Sequence, residues 1–268
     1  MISFPTCKIN IGLQLLNRRA DGYHDISTIF YPVPWNDILE IVPSGDFKFT
    51  ATGLEIPGNH NSNLCIKAYE LLRRDYPVGP VHIHLHKIIP MGAGLGGGSS
   101  DGAFTLRMLN QIFQLKLTPG QLGHYAAQLG SDCAFFLHDG PMLGQGRGEV
   151  LSPLDFFLKG RYLILVIPEI HVPTAEAYRG VHPVSNRKQL TSLIAEPMKH
   201  WKTEVENDFE ITVFDKHPVI RELKETMYGM GANFASMSGS GSSVFGIFDE
   251  ETDREQVFNG LPGWAGWL

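Results

Sequence analysis

Five glycines fall within seven residues, Gly92-Ala93-Gly94-Leu95-Gly96-Gly97-Gly98, after Pro90-Met91 and directly before Ser99-Ser100-Asp101. Glycine lets the backbone take positive φ and approach another group closely. An apolar-periodic helix follows, so the loop delivers unpaired N–H groups at the positive end of a helix dipole. That is anion-binding chemistry, and phosphate is its commonest occupant. The residues therefore predict a protein that handles a nucleotide or another phosphate ester. A second run, Ser236-Met237-Ser238-Gly239-Ser240-Gly241-Ser242-Ser243, lies between apolar segments. It holds more glycine than a simple hairpin turn requires.

Other phosphate loops fail on context. Gly92-Ala93-Gly94-Leu95-Gly96-Gly97 has the letters GxGxxG, but a dinucleotide fold needs an acidic residue about 20 positions on, for the ribose. From Gly102 to Ser131 there is no Asp or Glu. No Gly-Lys-Ser/Thr follows the loop, which removes the Walker A alternative. His82, His84 and His86 share one strand face, yet no nearby Cys, Asp or Glu completes a zinc shell, and a solvated face is expected.

The elements that must position these loops follow from periodicity. Residues 6–16 alternate, with Cys7, Ile9, Ile11 and Leu13 on one face and Lys8, Asn10, Gly12 and Gln14 on the other, which predicts a half-buried strand. Asp21-Gly22 marks a turn, and a second strand returns from Tyr23 to Phe30. Further strands are expected at 38–42, 47–50 and 81–86. Ser62 is expected to cap a helix whose apolar face is Leu64, Ala68, Leu71 and Leu72. The helix after the glycine loop is expected over about 100–114. Thr118-Pro119-Gly120-Gln121 reads as a capping box with proline at the first helical position, and Ser131-Asp132 as a further cap. Residues 140–148 read as a hairpin. Beyond them come a buried strand at 161–167, helices near 174–180, 187–195 and 216–228, a strand–loop–strand, and a final helix near 250–258. Strands and helices mix without repeated βαβ units, so the class is α+β. A domain boundary is placed near residue 150, giving domains 1–150 and 151–268.

The 268 residues allow one large or two modest domains. A net charge of −6 gives no support for a nucleic-acid surface. Cys7, Cys65 and Cys133 are odd in number and scattered, which fits a reducing cytoplasm better than a disulfide scaffold. The opening residues do not read as a signal peptide, and the longest apolar burst, 162–167, stops at Pro168. No membrane span is expected.

With both loops in view, the chain resembles the GHMP kinases, at segments 5–14, 90–103 and 236–248. The resemblance implies an N-terminal domain like the second domain of ribosomal protein S5, carrying the ATP phosphate loop, and a ferredoxin-like C-terminal domain. Lys8-Ile9-Asn10-Ile11, Arg19-Ala20-Asp21-Gly22-Tyr23-His24, Lys87-Ile88-Ile89-Pro90 and Leu129-Gly130-Ser131-Asp132 narrow it further, with Pro168 through Thr174 to Tyr178. They are similar to the branch whose acceptor is a cytidyl-linked methylerythritol. Cys7, Gly102 and Cys133-Ala134 depart from that branch's usual residues, but only as neighbours of the motif positions.

What the resemblance implies is transfer of the ATP γ-phosphate to the acceptor's 2-hydroxyl, with Asp132 as base and Lys8 as its partner. A lysine beside that carboxylate would keep it ionised and lower the hydroxyl's pKa. By residue type alone, Asp132 also reads as a helix cap and Lys8 as a solvated strand residue. Pro90 through Ser100 would cradle the ATP phosphates, with Ser99 or Ser100 available to a phosphate oxygen or to Mg²⁺. Lys87 and Asn63 are expected near the ATP nucleoside. Tyr23 and Tyr178 are expected to sandwich the cytosine, His24 to bond its edge, and Asn10 and Thr174 to hold the rest of the acceptor. Mevalonate, homoserine or a sugar remain as other acceptors of the superfamily. A catalytically silent, S5-like module is the alternative outside enzymes. The partner expected is a small molecule rather than a nucleic acid or a membrane, with the chain as monomer or homodimer.

Overall fold

The computed structural model describes residues 1–59, 62–184 and 186–268. In chain order the elements are β1 (Ile2–Ser3), β2 (Thr6–Arg18), β3 (His24–Asn36), β4 (Ile38–Pro43), β5 (Lys48–Gly53), α1 (Leu64–Asp75), β6 (Val81–Lys87), α2 (Gly97–Ile112) and α3 (Pro119–Leu129). They continue as β7 (Met142–Gly146), β8 (Val150–Pro153), β9 (Tyr162–Val166), α4 (Thr174–Ala177), α5 (Leu190–Ile194), α6 (Trp201–Glu204) and α7 (Phe209–Lys216). The last are α8 (Pro218–Gly229), β10 (Phe234–Met237), β11 (Val244–Phe248), α9 (Glu255–Phe258) and β12 (Gly263–Trp267). The α+β class expected from the sequence holds.

The chain divides into two units: residues 1–8, 34–91 and 96–139 form one, and 9–33, 92–95 and 140–268 the other.

In the first unit, β1, β4, β6 and β5 form one sheet in that order. Val81, Ile83 and Leu85 point into the core with Leu39 and Ile41, as alternation requires. His82, His84 and His86 take the other face, where Asp46, Thr50 and Thr52 hydrogen-bond their imidazoles at 2.9–3.1 Å. Helix α2 packs on α1 and β4. Asn63, not Ser62, caps α1: its side-chain oxygen accepts the Cys65 N–H at 2.8 Å. The capping box of Thr118 and Gln121 forms as expected.

In the second unit, β2, β3, β7 and β8 make one sheet and β10, β11, β9 and β12 another. The second sheet is antiparallel throughout, as the ferredoxin-like expectation requires. Its β9 is buried along its whole length, and its core runs through Leu13, Ile164, Val166, Val213, Ile220 and Met227. Helices α6 and α7 and strand β12 were not expected. Each is short, and the glycine-bearing Gly263–Trp267 gains its strand form only by pairing with β9.

The expectation for β2 is overturned. Strand β2 is buried on both faces rather than half-buried, with Lys8 3%, Asn10 2% and Gln14 5% exposed. Each polar side chain there has a partner: Asp132 for Lys8, Thr28 for Asn10 and the Lys188 carbonyl for Gln14. Burial of polar groups is tolerated when their hydrogen bonds are met.

The first unit also holds a buried ionic cluster at the two ends of the glycine loop. The Lys87 ammonium lies between Asp37 and Asp101, 2.9 Å from Asp101 Oδ2. Asp37 Oδ1 accepts the N–H groups of Ile88 and Ile89 at 2.6 and 2.9 Å. The end of β6 is thereby tied to the β3–β4 junction and to the first turns of α2. The Lys87 ammonium, expected near the ATP nucleoside, is instead enclosed by these two carboxylates, with its side chain 0% exposed.

Two carboxylates against one ammonium leave Asp101 poorly compensated, and its Oδ1 has no hydrogen-bond partner among the described residues. Burial pushes this carboxyl up from 3.8 to about 7; Lys87 opposes the shift and Asp37 adds to it. A folded-state pKa above the unfolded value means that this group's stabilisation is present at low pH and lost as pH climbs through about 7. Asp101→Asn keeps an acceptor for Lys87 and removes the titration. Urea unfolding from about pH 5 to about pH 8 should show a flatter profile for the variant, with its advantage over the parent largest at the alkaline end. A parallel pair of profiles would refute this.

Candidate active site

Lys8 lies near the start of β2, with its Nζ 3.5 Å from Asp132 Oδ2. Burial pulls the ammonium below its usual 10.5, and the charge and hydrogen bond of Asp132 act the other way. Asp132 precedes the 3₁₀ turn Cys133–Leu137, but its side chain does not cap that turn. The carboxylate is 36% exposed, so it faces a buried cation on one side and remains reachable on the other. A partly exposed carboxylate beside a buried ammonium is placed to accept a proton from a bound hydroxyl.

Helix α2 starts at Gly97, earlier than the position near 100 expected, because Gly96 at φ +69° is its N-cap. A Cβ on Gly96 would come within 2.9 Å of the Phe136 ring and 3.3 Å of Lys8 Cε. The missing side chain is what lets the helix start come so close to Lys8. Ser100 is buried, and its Oγ has no hydrogen-bond partner among the described residues. The first-turn N–H groups of α2 point out of the helix at its positive end.

Residues 92–95 belong to the second unit, where they are clamped to the other glycine loop. The Ser238 hydroxyl donates to the Gly94 carbonyl at 3.0 Å and that of Ser243 to the Ala93 carbonyl at 2.6 Å. The Asn10 N–H donates to Ser238 Oγ at 3.2 Å, and its amide to Thr28 Oγ1 at 2.9 Å. Asn207 Nδ2 donates to the Met237 and Gly239 carbonyls, at 2.8 Å each.

The aromatic residues expected for the base also lie in the second unit. His24 stacks on Tyr178 with ring centroids 5.1 Å apart and planes at 22°. The structure thus brings His24, and not Tyr23, onto Tyr178. Tyr23 is 57% exposed, with the Arg147 guanidinium carbon 5.1 Å from its ring centre. Thr174 is exposed, its hydroxyl 3.3 Å from that of Ser240.

Sequence reasoning passed over Asp37, Asn207 and Arg147. Asp37 and Asn207 carry no local signal, because their partners are distant in the chain. Arg147 had one, standing between glycines in a stretch already read as a hairpin.

Comparison with known proteins shows the family. The model of the GHMP kinases' N-terminal domain matches residues 63–140, and that of their C-terminal domain residues 188–264. A Methanococcus jannaschii mevalonate kinase superposes with a TM-score of 0.72 at 15% identity over 99% of this chain and 97% of that one, which speaks for the fold alone. The class is that of the GHMP kinases.

A 4-diphosphocytidyl-2-C-methyl-D-erythritol kinase of Cytophaga hutchinsonii is 52% identical over 97% of both chains. One of Bacteroides thetaiotaomicron is 49% identical over 94% of this chain and 93% of its own. A crystal structure of a 4-(cytidine 5'-diphospho)-2C-methyl-D-erythritol kinase superposes with a TM-score of 0.86 at 31% identity, covering 99% and 98%. The chain belongs to the 4-diphosphocytidyl-2-C-methyl-D-erythritol kinase family. No helix among the described residues is long and apolar enough to cross a membrane.

The clamp between the second unit's two loops can be tested at Gly94. Its φ is +80°, and a Cβ there would overlap the Ser238 carbonyl oxygen. Gly94→Ala should cost on the order of 1–3 kcal/mol in denaturant unfolding and weaken nucleotide binding in the same preparation. An alanine variant equal to the parent in both would show that the loops do not depend on that contact.

Proposed function

We propose that this protein transfers the γ-phosphate of ATP to the tertiary 2-hydroxyl of 4-diphosphocytidyl-2-C-methyl-D-erythritol, a step of the non-mevalonate route to isopentenyl diphosphate and terpenoids. The observation that carries this reading is the Lys8–Asp132 pair beside the glycine start of α2, all within the first unit. Relatives about half identical to this chain, whose names state that substrate, support it.

In the reaction, Asp132 takes the proton of the 2-hydroxyl as its oxygen bonds to the γ-phosphorus. The bond from that phosphorus to the β,γ-bridging oxygen breaks, and ADP leaves with the electron pair. Phosphoryl transfer asks mainly for positioning and charge stabilisation. Lys8, 3.5 Å from Asp132, favours the developing alkoxide. The loop from Pro90 to Ser100 offers backbone N–H groups to the phosphate chain. Asn63, which caps α1, is assigned to the nucleoside side of ATP.

Mg²⁺ fits the donor set, since Ser100 Oγ is buried with no hydrogen-bond partner among the described residues and few carboxylates are required of a magnesium site. The Ser99 and Ser100 hydroxyls would hold the ion, which supplies neutralisation of charge on the phosphoryl oxygens. Tyr23, His24 and Tyr178 are assigned to the cytosine, and Asn10 and Thr174 to the remainder of the acceptor. The reading places the reaction in the cytoplasm, carried out by a monomer or homodimer. Three free, buried thiols support a reducing compartment.

An ADP-release assay with ATP, Mg²⁺ and a panel of acceptors tests the reading. Turnover should require the cytidyl acceptor, and mevalonate or homoserine used equally well would move the protein to another branch. Asp132→Asn should lower kcat by about 10²–10⁴ while nucleotide binding persists; near-parental turnover would reassign the base. Because burial draws the Lys8 pKa down, kcat should fall on the alkaline side at a pH below 10.5. A profile flat to that pH would remove Lys8 from the reaction.

A further inference from the structure

Tyr23 is a large aromatic ring at an exposed turn, and the chain around it is built to hold the backbone in place. Arg19 bonds Asp21 at 3.1 Å and Asp25 at 3.0 Å. The Tyr23 N–H donates to Asp21 Oδ1 at 3.1 Å, and its carbonyl accepts the Arg19 N–H at 2.8 Å. None of these contacts orients the ring. What lies on the ring is Arg147, with its guanidinium carbon 5.1 Å from the ring centre.

Sheet register delivers Arg147 to that place. Ile26 pairs with Gly146, so the turn that joins β7 to β8 begins beside the start of β3. Gly146 at φ +67° and Gly148 at +109° flank Arg147. The Arg147 N–H donates to Glu149 Oε2 at 2.6 Å, which fixes the turn. Glu149 Oε1 also lies 3.8 Å from the Arg147 Nε. The guanidinium helps to draw the Asp21 carboxyl below its usual value, after the Tyr23 N–H and Arg19. With the Glu149 carboxylate 3.8 Å away, this cation is a poor receptor for a diphosphate, while its plane still lies on a π face.

We propose that Arg147 is a specificity-determining positioning residue for the nucleoside end of the acceptor. Its guanidinium covers one face of the Tyr23 ring and presents the opposite face as a stacking platform for a pyrimidine base. This rests on the cytidyl-acceptor reading above. A cation behind the ring restrains an otherwise free rotor, so less ordering remains to be done when the base arrives. Base stacking on such a ring tolerates several bases but requires the ring to be in place.

The test uses Arg147→Met, which keeps the length and apolar contact of the side chain, and Arg147→Lys, which keeps a cation. In Arg147→Met the KM for the cytidyl acceptor should rise about three- to tenfold, with kcat and the KM for ATP unchanged. Inhibition constants of cytidine, CMP and CDP should rise by one common factor. Arg147→Lys should recover part of the loss. In a Tyr23→Leu background, Arg147→Met should add nothing, since the ring it supports is gone.

Unchanged KM and inhibition constants in Arg147→Met overturn the proposal. So does a loss confined to CDP with cytidine and CMP unaffected, because the guanidinium would then be holding the diphosphate. A parent protein that neither turns over the cytidyl acceptor nor binds CDP sinks the functional reading itself, a result distinct from both.

Discussion

A buried ammonium persists only if a carboxylate is brought to it, and the first unit of this protein contains two such cations. Lys8 and Lys87 are both almost wholly enclosed. Removing an isolated charge from water costs far more than a small domain can supply, so each must be matched within a few ångströms. The two are matched differently. Lys87 is closed off between Asp37 and Asp101, where it ties strand to helix. Lys8 is matched by a carboxylate that stays partly in solvent. The first arrangement holds a frame, and the second leaves a charge pair able to act on something that arrives.

The glycine loop makes sense as the segment strung on that frame. It leaves β6 where Asp37 takes the Ile88 and Ile89 N–H groups, and enters α2 just ahead of Asp101. Its glycines serve distinct purposes. Gly96 lets the helix start approach Lys8 and Phe136, and Gly94 lets the loop backbone meet Ser238. In the second unit the serines of the 236–243 loop bond carbonyls of residues 93 and 94. Carbonyls so occupied cannot turn toward an anion, which leaves the N–H groups as the loop's outward chemistry.

Much of this was legible locally. The capping box at Thr118, the alternation of Val81 to Leu85 and the helix after the glycines depend on neighbours in the chain, and they formed as expected. Asn63 displaced Ser62 as a cap because both are capping residue types and only backbone direction separates them. The polar face of β2 was misread for a deeper reason. Alternation reports which side chains are apolar, and says nothing of what covers the polar ones. Helices α6 and α7 and strand β12 are too short for periodicity to register.

The sequence by itself determined that this chain carries two phosphate-type loops, and that neither belongs to a dinucleotide or Walker A fold. Its residue runs also named Lys8, Asp132 and Tyr23 as positions of interest. Glycine content, missing acids and motif spacing are properties of a string and survive without coordinates. Only tertiary structure decided how those residues are used: that Asp132 meets Lys8 and does not cap its turn, that Lys87 is sealed between two carboxylates, and that His24 lies on Tyr178 while Arg147 lies on Tyr23. Each of those choices joins groups many residues apart. Charge compensation and ring stacking act over a few ångströms of space, a distance that no spacing along the chain encodes.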